Sequence, residues 1–222
     1  VIVTSDGKVA GVGSTGTSQA LGTAAVFESA NASYTAAVYD STNGKVVIAY
    51  DDNGNSSYGT AVVGTVSGTS ISFGTPVVFE SATIANVTAA YDSSNGKVVI
   101  AYTDGGNSNY GTAIVGTVSG TSISFGSATT FISSVSYNIS AAYDSTNGKI
   151  VIGFRDGGDS NYGKGVVGTV SGTSISFGSA TTFESATAVY QSVVYDSTNG
   201  KVVIAYRDNG NSSYGTAVVG TV

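Results

Sequence analysis

One string organises this chain. Tyr-Asp-Ser-Thr-Asn-Gly-Lys-Val-Val-Ile-Ala-Tyr occurs four times with few changes, beginning at Tyr39, Tyr91, Tyr143 and Tyr195. The steps from 39 to 91, 91 to 143 and 143 to 195 are all 52 residues, with no insertion. A fixed period of that length marks a tandem array of one supersecondary unit, because a single unit cannot bury its own apolar face. The expected organisation is one domain over residues 1–222, with units at about 1–34 (partial), 35–86, 87–138, 139–190 and 191–222 (partial).

The unit at 87–138 serves as the template. Residues 87–91 read as a short strand, and Asp92-Ser93-Ser94-Asn95-Gly96 as a turn in which Asp caps amides and Gly takes φ > 0. Residues 97–102 are apolar without alternation, as in a strand covered on both faces. A second turn at 104–111 leads to a third strand at 112–118, and Ser119-Gly120-Thr121 reverses the chain. Residues 122–125 alternate into a half-exposed fourth strand running on toward Phe131. An irregular connection at about 132–137 is expected before the next unit.

Four antiparallel strands, three tight turns and a crossover describe a propeller blade. Solenoid coils are shorter and lack hairpins, and sandwiches rarely repeat so closely. The expectation is an all-β chain: a β-propeller of 52-residue four-stranded blades, with five units and truncated end units. The alternative is four blades closed by an N-terminal strand. The last unit stops after its third strand, and residues 16–22 align with 68–74, so they could supply the missing fourth. Residues 2–12 are then left over, with Asp6-Gly7 between two strand-like runs.

Charged residues make up 10% of the chain against roughly 25% in ordinary soluble domains. Hydroxyl and amide side chains therefore carry solubility, a style that suits an extracellular or virion surface. Net charge is −6 and the eight basic residues are scattered, which excludes the basic stripe of a nucleic-acid binder. No apolar run reaches membrane-spanning length, so no membrane insertion is expected. The absence of Cys and His removes thiolate metal sites and the commonest general base.

The wording YDSTNGKVVIAY…DNGNSSYGTAVVGTVSGTSISFG resembles the highly repetitive β-propeller proteins of marine phages and ocean viral metagenomes, over essentially the whole chain. The resemblance implies a virion structural or tail-associated protein without an established activity. A second similarity is to the Asp-box hairpin of sialidase-type propellers, in Asp104-Gly105-Gly106-Asn107-Ser108-Asn109-Tyr110. Here the leading Ser is missing, one residue is extra, and Tyr stands for Trp. A sialidase also needs an arginine triad, and the chain has only Arg155 and Arg207. Glycosidases need two carboxylates flanking one bond, whereas Asp40, Asp92, Asp144 and Asp196 recur at turns. No enzyme activity, catalytic residue or cofactor is expected.

No metal is expected either. Asp156-Gly157-Gly158-Asp159-Ser160-Asn161 is the loop with most hard oxygens, making Asp156 and Asp159 the calcium candidates to watch. The plainer reading is a self-capped turn.

The most informative positions are those where the copies differ. One set lies in the crossover and first strand: Tyr34, Asn86, Tyr137, Asn138, Tyr190 and Gln191. The other opens the second turn: Asp51, Thr103, Arg155 and Arg207. Strand parity puts the second turn and the crossover at the same end of an up-down-up-down blade. Flat amphipathic tyrosines beside directional amides and guanidinium groups suit a glycan or surface protein. The expected function is a lectin-like recognition module, non-enzymatic, on a virion or extracellular surface. The alternative is a purely structural repeat or assembly module, with self-association between near-identical units.

Overall fold

The computed structural model describes residues 21–222 and the backbone of two short strands, β1 (Ile2–Val3) and β2 (Val9–Ala10), which pair antiparallel. Residues 16–20, expected as part of a closing strand, and Asp6-Gly7 lie outside the described residues. The repeats begin with β3 (Ala32–Asp40), β4 (Lys45–Asp52), β5 (Tyr58–Ser67) and β6 (Ser70–Phe73). The second set is β7 (Val77–Asp92), β8 (Lys97–Asp104), β9 (Tyr110–Ser119) and β10 (Ser122–Phe125). The third is β11 (Thr129–Asp144), β12 (Lys149–Asp156), β13 (Tyr162–Ser171) and β14 (Ser174–Phe177). The last is β15 (Thr181–Asp196), β16 (Lys201–Asp208) and β17 (Tyr214–Gly220).

The predicted turns form for the predicted reasons. Asp92 accepts from the amides of Ser94 and Asn95, both at 3.0 Å, and from the Asn95 side chain at 2.7 Å. Asp40, Asp144 and Asp196 make the same three bonds. Gly96 follows at φ +62°, a conformation that side chains disfavour. β8 is buried along nearly its whole length, as its unbroken apolar run requires.

The crossover departs from expectation. The irregularity expected at about 132–137 is present as register shifts, but inside a continuous strand: each long strand is 16 residues and changes partner midway. In β11, Thr129 and Thr130 pair with β9, whereas Ser140 to Asp144 pair with β12. Residues 132–137 span the switch: Ile132 and Val135 still pair with β9, whereas Ser136 and Tyr137 already pair with β12, with register shifts on both sides. The switch carries a bulge: Ala85 faces Thr103 and Thr88 faces Ala101, so Asn86 and Val87 share the place opposite Tyr102. The same shift recurs after Ser33, Tyr137 and Val189.

Through these strands, β3 to β17 join into one antiparallel sheet of 15 strands. The sheet folds on itself as stacked units. Val47, Ala49, Ala61 and Val63 of one unit meet Val98, Ile100, Tyr102 and Ile114 of the next. Val99, Ala101, Ala113 and Val115 in turn meet Ile150, Ile152, Phe154 and Val166. Among the described residues the stack is open, since the strand path ends at β3 and β17 without returning. Leu21 and Gly22 do not join β17. Gly22 lies beside the first complete unit, so close that a Cβ would stand 1.7 Å from the Thr69 carbonyl oxygen.

Candidate recognition face

The variable positions converge, and the strand register shows how. Residues opening the second turn pair across the ladder with residues just before the bulge: Asp51 with Ser33, Thr103 with Ala85, Arg155 with Tyr137, and Arg207 with Val189. Tyr34, Asn86, Asn138 and Tyr190 are the first bulge residues of the four units, with φ between +47° and +59°. Asn tolerates this left-handed conformation, but Tyr is held there at a cost of about 1–2 kcal/mol. Strain of that kind concentrates at functional positions.

Stacking then links the units into a polar row. The amide of Asn138 donates to Asn86 Oδ1 at 3.0 Å, across one full repeat. Asn86 Nδ2 donates to Thr103 Oγ1 at 3.1 Å, and Thr103 Oγ1 donates to the Ser136 carbonyl of the next unit at 2.8 Å. The Arg155 guanidinium lies over the Tyr137 ring, 4.3 Å from its centroid, and Arg207 over Tyr190 at 5.0 Å. Four buried polar atoms belong to this same band and have no hydrogen-bond partner among the described residues: Asp51 Oδ1, Ser136 Oγ, Arg155 Nε and Gln191 Oε1. Unpaired buried polar atoms are uncommon and each calls for an explanation.

Exposure divides the candidates. Tyr34 and Tyr190 are 53% and 68% exposed, and Arg207 is exposed beside Tyr190. Asn86, Tyr137, Asn138 and Arg155 are half-buried. Asp51 and Gln191 are buried, not displayed; Gln191 Nε2 turns back on its own strand and donates to the Ala188 carbonyl at 3.0 Å. Burial raises the Asp51 carboxyl above its ordinary value, the Ser57 hydroxyl opposes this, and the charge of Asp52 adds to it.

At the calcium candidate, Lys164 Nζ lies 2.8 Å from Asp156 and 2.7 Å from Asp159, so an ammonium of the chain itself bridges the two carboxylates. Lys164 replaces the Thr found at positions 60, 112 and 216 of the other units. Burial alone would raise the Asp156 pKa, but Lys164, Ser134 and the Gly158 amide outweigh it and hold the carboxyl below the usual range. Among the described residues, no group of three or more His, Cys, Asp or Glu is placed to hold a metal ion.

Two sets of contacts were missed at the sequence level. Glu80 accepts from Tyr102 Oη at 3.1 Å, and Glu28–Tyr50 and Glu184–Tyr206 repeat the pair. Tyr91 Oη donates to Thr42 Oγ1 of the preceding unit at 2.5 Å, and Tyr143 Oη to Ser94 Oγ at 2.6 Å. The first set was readable in the sequence. The one unit with Ile132 in place of Glu also has Phe154 in place of Tyr, so donor and acceptor vanish together. No protein-family model matches the chain, and a comparison with curated proteins finds no match.

Proposed function

We propose that this chain is a non-enzymatic recognition module, binding a glycan or a surface protein through the edge where second turns and bulges meet. The observation carrying this reading is the coincidence of three properties in one band. These are divergence between otherwise near-identical repeats, left-handed backbone at Tyr34 and Tyr190, and buried polar atoms without partners. Drift of unconstrained loops explains the first property but neither of the others. The exposed Tyr190 ring backed by Arg207 offers a flat, polarised platform of the kind that stacks on sugars. A charge-poor surface and the phage-protein wording point to a virion or extracellular location.

The stacked units are read as an open arc of propeller blades, five units with truncated ends; the alternative, four blades closed by an N-terminal strand, fits less well because Leu21 and Gly22 lie beside the first complete unit and not against β17. What supports the reading is the order within each unit and the face-to-face packing of successive units around aligned inner strands.

A glycan-array screen of the monodisperse protein, with and without calcium, is the test. The expected result is a reproducible, calcium-independent hit that Tyr190→Ala weakens at least tenfold while melting and circular dichroism stay unchanged. A blank array from a folded sample sinks the glycan reading. The second reading, a structural assembly module, is favoured by apolar surface left uncovered at both ends of the stack, where Tyr39 is 59% and Val219 63% exposed.

A further inference from the structure

The two ends of the stack are complementary halves of an interface that the molecule already builds three times. At the first unit, Thr35, Ala37 and Tyr39 face outward along β3 and are exposed. Their counterparts Ile139, Ala141 and Tyr143 in β11 are covered by the unit before them. At the last unit, Val194 and Val219 are 58% and 63% exposed, while their counterparts Ala90 and Val115 are 5% and 0% exposed under the following unit. Each end therefore displays the surface that its counterpart inside the stack buries.

The hydrogen bonds between units leave matching halves. Tyr91, Tyr143 and Tyr195 each donate to a hydroxyl in the first turn of the preceding unit, at Thr42, Ser94 and Thr146. By the same spacing the next hydroxyl is Thr198, which is exposed, and the tyrosine without a preceding unit is Tyr39. The amides of Ala141 and Val193 donate to Thr88 Oγ1 at 3.3 Å and Ser140 Oγ at 3.0 Å. The next acceptor in that series is Ser192, exposed, and the matching amide is that of Ala37.

The aromatic series breaks at the same place. Phe27 packs on Phe73, Phe79 on Phe125 and Phe131 on Phe177, with ring centroids 5.6–5.9 Å apart. Phe183 has no such partner and instead lines a cleft of about 230 Å³ with Val151, Val167, Ile204 and Val218. In the 52-residue register the residue equivalent to Phe73, Phe125 and Phe177 at the other end of the chain is Leu21, which is 84% exposed.

We propose that a second copy of this chain docks head to tail on the fourth unit. Leu21 of the second copy fills the cleft against Phe183, Tyr39 donates to Thr198, and the Ala37 amide donates to Ser192. The surface is continuous with the internal unit-to-unit interface and reproduces its contacts. Such a contact is heterologous, so successive copies add until rotation closes a ring or the array extends. The surface adjoins the variable edge, Ser192 being next to Gln191, but its test reads association and not ligand binding, so its failure leaves the recognition reading untouched.

The chain has no cysteine, which makes cross-linking clean. Ala37→Cys and Ser192→Cys are prepared separately and mixed under mild oxidation. The internal counterparts, Ala141 and Thr88, are in hydrogen-bond contact, which brings such a pair within reach of a disulfide. The expected result is a disulfide-linked heterodimer well above the level of either variant alone. A sedimentation mass that rises with concentration should accompany it, with association weakened at least tenfold by Leu21→Asp. Absence of cross-linking between folded variants overturns the proposal. So does a strictly monomeric mass, or a double variant that cross-links only within one chain, since the ends would then close on each other.

Discussion

Asp51 stands where Thr103 makes its contact to the next unit, but a carboxylate has no proton to give to a carbonyl oxygen. The Thr103 hydroxyl donates to the Ser136 carbonyl, whereas Asp51 Oδ1 is buried without a partner. Its folded-state pKa is raised, by burial first. The protonated form is therefore favoured by folding, and the stability it provides is lost as pH rises through the folded-state pKa. Asp51→Asn should raise Tm at neutral pH by about 2–4 °C, the effect of removing roughly 1 kcal/mol of penalty. The gain should shrink toward zero on acidification. Melting curves across acid to neutral pH check this, and an equal gain at every pH would refute the charge argument. In the Glu184–Tyr206 pair it is the phenol that responds: Tyr206 is pushed up to about 12 by burial, then by its bond to Glu184.

Among the elements, the long strands do most to shape the molecule. A 16-residue strand that pairs with one neighbour and then another turns a meander into a stack, and its bulge residue takes the left-handed conformation. Asn86 and Asn138 suit that conformation, and Tyr190 does not. Tyr190→Asn should therefore stabilise the protein by about 1 kcal/mol while abolishing recognition at the variable edge. Denaturant unfolding beside the array screen separates the two effects. A loss of stability would mean that the Tyr190–Arg207 stacking outweighs the strain.

At the scale of the whole molecule, burial is greatest in the middle units and falls toward both ends. β8 and β12 are buried almost throughout, and β17 is largely exposed. In a linear array each unit is held by its neighbours, so the ends open first. Hydrogen exchange of dilute, unassociated protein should show slowest amides in β8, β9, β12 and β13 and faster ones in β3 and β17. Uniform protection would indicate that the ends are joined. At concentrations that support head-to-tail association, β3 and β17 should slow selectively.

The sequence by itself determined everything local or periodic. The 52-residue spacing sets the unit, Asp with Asn and Gly sets the first turn, and the unbroken apolar run of residues 98–102 announces a strand covered on both faces. Parity alone put the two variable sets at one end of the unit, because alternating strand direction needs no tertiary knowledge. The tertiary structure decided what depends on contacts between units. Residues 132–137 look irregular in sequence because the strand exchanges neighbours there, leaving Tyr110 of β9 at Val135 for Asp156 of β12 at Ser136. Asp51 and Gln191 look like surface residues, yet packing buries both, and Lys164 reveals its carboxylate partners only when the hairpin closes. Where the two ends of the stack come to lie is set by how successive units pack on each other. A near-identical repeat encodes the contact, but the geometry of that contact fixes the angle.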